Sequence, residues 1–335
     1  MKRTRVPPFS GLLAILLLIS ACATSKPAST PGPLPGWNEG PARQSIVDFI
    51  GAVSDPDSSD YVLPGERIAV FDNDGTLWSE KPLYFQMLFV FDRVKAMAPD
   101  HPEWAEQQPF KAVIENDRAS LEAQGEPAFL ELFMATHAGM TTAAFDENVR
   151  GWLVAARHPD TGRAYTQMVY QPMLELLDYL RAHQFKVFIV SGGGISFMRP
   201  WTESVYGIPP HQVVGTSIEM TFDTRDGHFV IDRKPEIHHF NDKAGKPVGI
   251  ERFIGRRPIM AVGNSDGDLE MLQWSTAGKG RRLGVIVHHT DGEREWAYDR
   301  NSAVGRLDMA LDAAPEYGWT VIDMARDWRT VYPPE

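Results

Sequence analysis

The sequence predicts an α/β protein, built on a doubly wound parallel sheet with a helical insertion after its first strand. The short apolar run Ile68–Phe71 is followed, from residue 172 onward, by further such runs that alternate with helical stretches, which is typical of parallel strands buried on both faces. Three of these runs end in polar clusters, at residues 72–74, at Ser191 and at residues 264–268. Parallel strands bring such ends together at one edge of a sheet, where ligands bind.

The first 40 residues are predicted to lie outside the folded body. Basic residues precede an apolar run at 11–19 that is too short for a stable membrane span, so residues 1–22 are predicted to be an export signal. The run leads into Ile-Ser-Ala-Cys, which resembles the lipobox of bacterial lipoproteins and implies lipidation of Cys22, the only cysteine. The alternative is a secretory signal cut at a small residue. Residues 23–40, rich in Pro, Ser, Thr and Gly, are predicted to be a flexible linker.

Composition narrows the class of partner. The chain has 335 residues, 43% of them hydrophobic, which is enough for a sizeable core. Its net charge of −11 argues against a nucleic-acid partner, because nucleic acids select a basic face. Together with the N-terminal signal, this predicts an exported protein held at a membrane by its lipid and facing the periplasm or the cell exterior.

A leading helix at 42–53 and the strand Ile68–Phe71 are followed by a long stretch without strand patterns. Helices are predicted in this stretch at Leu83–Met97, Glu103–Gln124, Ala128–His137 and Thr141–Ala156, the last capped by Thr141 or Thr142. So long a segment is not a loop. We therefore predict a helical cap at 78–165 and a core at 41–77 and 166–335.

The remaining elements alternate between helix and strand. Helices are predicted at Met173–His183, Phe197–Tyr206, Lys246–Ile254 and Asp268–Trp274. Strands are predicted at Lys186–Val190, Val213–Val214, Pro258–Val262 and Arg282–Val287, with a hairpin formed by 217–222 and 228–231.

Asp72 and Asp74 are the most informative pair of residues. Two carboxylates at the end of a buried strand repel each other and lose hydration, so neither is there for packing. A cation between them, or a division of labour between nucleophile and acid, would make the pair stable. A solvated Asp-Asn-Asp-Gly turn is the alternative, and the polar clusters that end the other strands argue against it.

These residues resemble the haloacid dehalogenase-like (HAD) hydrolases, in the phosphoserine-phosphatase-like branch, over about residues 66–290. Asp72–Leu77 is similar to the first motif, Asp-x-Asp-Gly-Thr-Leu, Ser191 to the second, and Gly263–Asp268 to the fourth. The third motif is a lysine, for which Lys243 and Lys246 are candidates. We favour Lys246, because the proline after it suits the first turn of a helix. The resemblance implies a Rossmann-like core with a cap after the first strand.

The resemblance also implies a Mg²⁺-dependent phosphatase that forms an aspartyl-phosphate. Asp72 would be the nucleophile and Asp74 the general acid and base. Ser191, the Gly192 N–H and Lys246 would bind the phosphoryl group. Oxygens of Asp72, the Asp74 backbone carbonyl, Asn264 and Asp268 would hold the metal.

The fourth motif departs from the family, which has Asp where Asn264 stands. An amide oxygen can bind Mg²⁺ but brings no charge, so Asp266 is an alternative ligand. Asp268 matches the second acid of the motif, and it could also cap the helix that begins there.

The substrate is expected to be a small phosphorylated metabolite. Trp78 and Glu80 could hold an amine through cation–π and charge interactions, which makes an amino-alcohol phosphate a hypothesis. The alternative for Trp78 is packing of the cap against the core. His238, His239, His288 and His289 lack zinc-ligand companions and are expected on the surface or in loops. The alternative function is a non-catalytic lipoprotein that binds a phosphorylated ligand.

Overall fold

The computed structural model describes Met1 and residues 33–334. The predicted export signal, the lipidation of Cys22 and most of the predicted linker fall outside the described residues. The described end of the linker packs on the body, since Trp37 is 1% exposed and its Nε1–H donates to the Pro172 carbonyl. Within residues 33–334, no helix combines the length and apolarity that a membrane span requires.

Seven strands form one sheet in the order β4-β3-β2-β1-β5-β6-β7. They are β1 (Ile68–Phe71), β2 (Lys186–Gly194), β3 (Val213–Arg225), β4 (His228–His239), β5 (Met260–Gly263), β6 (Leu283–His288) and β7 (Thr320–Asp323). All neighbouring pairs are parallel except β3 and β4. The chain leaves β1 toward β2 and later returns to its other side as β5, so a switch point lies at the carboxyl end of β1. The predicted α/β class is confirmed.

Twelve α-helices accompany the sheet in the described residues. They are α1 (Pro41–Ser54), α2 (Phe85–Met97), α3 (Phe110–Ile114), α4 (Arg118–His137), α5 (Thr142–Ala155), α6 (Gln171–Ala182), α7 (Ile195–Met198), α8 (Thr202–Tyr206), α9 (Gly245–Phe253), α10 (Leu269–Thr276), α11 (Met309–Tyr317) and α12 (Met324–Asp327).

The two faces of the sheet belong to separate hydrophobic clusters, because successive strand residues point to opposite faces. On one face, Ala69 and Phe71 pack in the cluster that includes α1 and α6. On the other, Ile68 and Val70 pack in the cluster that includes α9, α10 and α11. Helices therefore cover both faces of the sheet. The polar clusters lie at the carboxyl ends of its strands.

The segment between β1 and β2 is helical, as expected, and a third cluster consists of residues from α2 to α4. This segment is also tied to β4. The Gly139 N–H donates to the Arg233 carbonyl, and the Arg233 N–H donates to the Met140 carbonyl. The Arg233 side chain donates to the His137 carbonyl at 2.6 Å and lies 4.0 Å from the centre of the Phe145 ring. The predicted limits of the cap stay a prediction.

Two predicted helices are wrong as single elements. The predicted helix at Glu103–Gln124 is interrupted before Phe110, where Pro109 cannot donate a helical hydrogen bond, and again before Asp117, which caps α4. The predicted helix at Phe197–Tyr206 is divided into α7 and α8 around Pro200. Thr141 caps α5 as predicted, by accepting from the Ala144 N–H. The hairpin is longer than predicted, and α11, β7 and α12 had no predicted counterpart.

Candidate active site

The loop after β1 is a tight turn that brings Asp72 and Asp74 to the edge of the sheet. The Asn73 carbonyl accepts from the N–H groups of Thr76 and Leu77, which closes the turn. Gly75 has a φ of 71°, and a Cβ there would lie 2.1 Å from Asn264 Nδ2. Only glycine fits such a position without strain or collision. The turn is therefore packed directly against the fourth motif.

Lys246 joins the first and fourth motifs. Its Nζ lies 2.6 Å from Asp268 Oδ1 and 3.0 Å from Asp72 Oδ1, and the side chain is 1% exposed. Burial alone would lower the pKa of Lys246, but Asp268 and Asp72 raise it above its ordinary value. Lys243 is exposed. The structure therefore places Lys246, the favoured candidate, beside the predicted nucleophile.

Asp72 is buried and electrostatically crowded. Burial, together with the nearby Asp268 carboxylate, raises the pKa of Asp72 well above its usual range. Its Oδ1 is close to Lys246 but receives no well-directed hydrogen bond from any of the residues that the structure describes. An unsatisfied carboxylate oxygen in a buried site is available to a further cationic or electrophilic partner.

Asp74 is held by an aromatic side chain rather than by a base. The Trp78 Nε1–H donates to Asp74 Oδ1 at 2.8 Å, and the indole is fully buried and stacked on Trp201, with ring centres 4.4 Å apart. Burial raises the pKa of Asp74 to about 6, although the Trp78 hydrogen bond opposes the shift. Asp72 and Asp74 are thus placed in different environments, one against a lysine and one against an indole. The alternative for Trp78, packing between insertion and core, agrees with this burial, and its contact with a substrate stays a prediction.

The carboxyl end of β2, which carries Ser191, lies next to Asp74. A Cβ placed on Gly193 would be 3.4 Å from Ser191 Oγ and 3.5 Å from Asp74 Oδ2, so the hydroxyl and the carboxylate flank this glycine. Two side chains hold this strand end in place, since Asn241 Nδ2 donates to the Ser191 carbonyl and Thr216 Oγ1 to the Gly192 carbonyl. The second motif is therefore within reach of a group bound at the first.

The two acids of the fourth motif, Asp266 and Asp268, have different hydrogen-bond partners. Asp268 is fully buried, and its Oδ2 accepts from the N–H groups of Asn264 and Ser265. The expectation that Asp268 caps α10 is wrong, because this carboxylate makes no cap there and reaches back to Ser265. Asp266 Oδ1 accepts from the N–H groups at 308 and 310 and caps α11.

Asn264 and Glu80 form a buried pair. Asn264 Nδ2 donates to Glu80 Oε1 at 2.8 Å, and Thr76 Oγ1 donates to Asn264 Oδ1 at 3.1 Å. Burial raises the pKa of Glu80 to about 7, and His289 opposes the shift. Glu80 is 1% exposed, so its carboxylate is engaged inside the protein, while its predicted contact with a substrate amine stays a prediction.

The expectation that the paired histidines lie on the surface or in loops is wrong for His239, which is buried at the end of β4, while His289 lies in the loop after β6 but is also buried. His239 is 8% exposed and bonds to Asn241, and His289 is 2% exposed. The Nε2 of His289 is 2.8 Å from the Gly75 carbonyl and its Nδ1 is 3.1 Å from Glu295 Oε2. Burial opposes protonation of His289, but the Glu295 carboxylate outweighs it and raises the pKa. His289 therefore stabilises the turn after β1 that carries Asp72 and Asp74, which we call the catalytic loop.

Sequence reasoning also missed residues that surround the site. Gln86 of α2 accepts from the Gly194 N–H at 2.7 Å, and its side chain lies 2.9 Å from His137 Nε2, so the insertion reaches the carboxyl end of β2. A lone polar residue in the apolar run of α2 is the signal that could have found it. Asp242 lies between the second and fourth motifs, where a Cβ on Gly267 would be 2.8 Å from its Oδ1. No pattern marked this acid.

The donor set fits Mg²⁺. The predicted ligands are all oxygens, as Mg²⁺ prefers, and Asp72 Oδ1 is an unsatisfied buried carboxylate oxygen. Among the described residues, no three His, Cys, Asp or Glu side chains converge as a ready-made metal cluster. The predicted set needs no such cluster, because it uses only the Asp72 and Asp268 carboxylates beside the Asp74 carbonyl and the Asn264 amide.

Comparison with known proteins identifies one family. The model of the haloacid dehalogenase-like hydrolases matches residues 69–273, which include all four motifs. No curated protein matches the chain. A protein of unknown function from Bordetella pertussis Tohama I is 15% identical with a TM-score of 0.49, covering 77% of this chain and 99% of its own. A phosphoserine phosphohydrolase-like protein from Francisella tularensis is 15% identical with a TM-score of 0.37, covering 66% and 87%. A probable phosphoserine phosphatase from Vibrio cholerae is 17% identical with a TM-score of 0.37, covering 75% and 65%.

Proposed function

The chain belongs to the haloacid dehalogenase-like hydrolase family, and from this membership we propose that it hydrolyses the phosphomonoester of a small metabolite through an aspartyl-phosphate. The observation that carries the proposal is the different environment of two neighbouring acids. Asp72 lies against Lys246, and Asp74 against the Trp78 N–H. Two identical side chains held so differently suit two different roles.

Asp72 is the proposed nucleophile. One of its carboxylate oxygens forms a bond to phosphorus while the bond from phosphorus to the substrate alkoxide breaks. The ammonium group of Lys246, 3.0 Å from Asp72 Oδ1, offsets the repulsion between the carboxylate and an anionic phosphate. The Ser191 hydroxyl and the Gly192 N–H are proposed to hydrogen-bond the phosphoryl oxygens.

Asp74 is the proposed general acid and base. Its raised pKa, about 6, leaves a fraction of the side chain protonated near neutral pH, and this proton goes to the leaving alkoxide. In the second step the Asp74 carboxylate takes a proton from a water that attacks phosphorus. The bond from phosphorus to Asp72 then breaks, which releases inorganic phosphate and restores both acids.

Mg²⁺ is the proposed cofactor, held by Asp72, the Asp74 carbonyl, Asn264 and Asp268. When bound, it would neutralise charge on the phosphoryl oxygens. The support for this site is the donor set, together with the raised pKa of Asp72, which reflects burial and uncompensated negative charge.

The test is incubation of the purified protein with p-nitrophenyl phosphate and Mg²⁺. We expect turnover, and we expect Asp72→Asn to lower kcat at least about 10³-fold, as loss of a covalent nucleophile does. Absence of turnover, with a phosphorylated ligand still bound, would favour the non-catalytic lipoprotein. A panel of phosphomonoesters then identifies the substrate. The amino-alcohol hypothesis predicts that Glu80→Ala raises KM for amine-bearing substrates, and an unchanged KM for all of them refutes it.

We propose export and lipid anchoring from the sequence alone. The full chain, expressed in a bacterium, should partition into the membrane fraction, whereas Cys22→Ala should not. Recovery of the wild-type chain in the soluble fraction would contradict the anchor.

A further inference from the structure

Asn264 and Glu80 together carry a charge that the fourth motif would otherwise lack. Asn264 replaces the usual acid, and Glu80, 184 residues away in sequence, places a carboxylate oxygen 2.8 Å from the Asn264 amide nitrogen. Both side chains are 1% exposed. A buried carboxylate is expensive to desolvate, so its position against an amide requires a reason.

The contact fixes which way the amide points. Glu80 Oε1 accepts this hydrogen bond, and only the NH₂ end of an asparagine amide can donate one. On the other side, the Thr76 hydroxyl donates to Asn264 Oδ1 at 3.1 Å. The amide oxygen is therefore held by the Thr76 hydroxyl, and the amide nitrogen by Glu80.

The backbone leaves room for the Glu80 carboxylate. A Cβ on Gly305 would lie 1.8 Å from Glu80 Oε1, and one on Gly75 would lie 2.4 Å from the same atom. Both glycines have a positive φ, of 66° and 71° respectively. The Tyr298 hydroxyl also donates to Oε1 at 2.8 Å. The carboxylate thus occupies a cradle lined by two glycines and receives two hydrogen bonds.

We propose that Glu80 is a positioning residue that orients and polarises the Asn264 amide so that its oxygen serves as a Mg²⁺ ligand. The inference rests on the metal site of the proposed function. A carboxylate behind a ligand raises the electron density on the ligand atom and holds its orientation, and loss of such a partner typically lowers metal affinity about 10- to 100-fold. In this proposal the negative charge that the family carries at position 264 is carried by Glu80, which contacts Asn264 and not the metal.

A double-mutant cycle tests this exchange of charge. Mg²⁺ alone is titrated into chelator-treated protein by calorimetry, for the wild type, Glu80→Gln, Asn264→Asp and the double variant. Glu80→Gln should weaken Mg²⁺ binding about 10- to 100-fold when residue 264 is Asn. It should not weaken binding when residue 264 is Asp, because the charge is then supplied directly.

Thermal unfolding of the metal-free proteins gives an independent readout. Asn264→Asp alone places two carboxylates at the 2.8 Å contact and should lower Tm, and adding Glu80→Gln should restore it. Glu219→Gln removes one charge from an exposed side chain and serves as the control.

The outcomes separate the inference from its premise. Mg²⁺ binding by the wild type that survives Glu80→Gln overturns the inference alone, as does an equal effect of Glu80→Gln in both backgrounds. Absence of Mg²⁺ binding by the wild type overturns the metal site as well.

Discussion

The indole N–H of Trp78 donates a hydrogen bond of 2.8 Å to Asp74, four residues before it in the chain. This bond favours the ionised carboxylate and lowers the pKa of Asp74 against the effect of burial. The residue that follows the first motif therefore sets how readily the general acid gives up its proton.

Replacement of Trp78 by Phe should shift the pH dependence of catalysis. Without the hydrogen bond, which is worth about 1.5–3 kcal/mol to a charged group, the pKa of Asp74 should rise by about one unit or more. The first step needs protonated Asp74, so the decline of kcat/KM at high pH should move to higher pH. Trp152→Phe removes the same kind of bond, to Asp92, and should leave the profile in place. An unshifted profile for Trp78→Phe would contradict this role.

Replacement of Lys246 by Met should destabilise the protein strongly. Asp72 and Asp268 would lose the cation between them, and breaking a buried ion pair costs about 3–5 kcal/mol. Lys243→Met, three residues away and exposed, should change the free energy of unfolding by less than about 0.5 kcal/mol. Urea denaturation measures both values, and equal effects would show that Lys246 is not the charged link.

The metal-free protein should lose stability as pH rises, partly through Glu80. Its pKa is about 7 in the folded protein against an ordinary value of 4.5, so the folded state binds more protons between these pH values. The contribution of Glu80 to the free energy of unfolding is then fully present below pH 4.5 and is lost as pH rises through 7. Glu80→Gln should reduce the fall between pH 4.5 and pH 8 by an amount on the order of 3 kcal/mol. Unfolding free energies of both proteins, measured with a chelator present, check this, and parallel curves would refute it.

Replacement of His289 by Gln should lower the stability of the folded protein much more than replacement of His238 by Gln. His289 is buried against Glu295 and the Gly75 carbonyl, so the change leaves a buried carboxylate unpaired, at about 3–5 kcal/mol. His238 pairs with Glu219 at the surface, where such pairs contribute about 0–1 kcal/mol. Thermal unfolding compares the two, and an equally small loss for His289→Gln would exclude its support of the loop.

The parallel α/β sheet was predictable, because several of its strands are recognisable from local sequence alone. Ile68–Phe71 and the run before Ser191 are apolar on both faces and end in polar residues, so their place in a parallel sheet follows from neighbouring residues alone. The same holds for Lys246, whose position in the first turn of α9 was indicated by the adjacent proline. The prolines at 109 and 200 also indicate helix breaks. These breaks were not predicted, because the residues on either side of each proline have a helical pattern.

The supports of the site were not predictable, because their partners are distant in sequence. His289 bonds to a carbonyl 214 residues away, and Glu80 to an amide 184 residues away. A histidine or a glutamate carries no local sign of such a partner. Gln86 is intermediate, since its polarity stands out in α2 but its contact with Gly194 depends on the tertiary fold.

The contacts of Arg233 limit how the helical insertion can move. A helical insertion joined to the core only at its two chain connections could rotate about the line between them. Pairing of β4 with residues 139 and 140 adds a further attachment besides the Gln86 contact, and the Arg233 side chain strengthens it at His137. A swing of the whole insertion away from β4 would have to break these hydrogen bonds first.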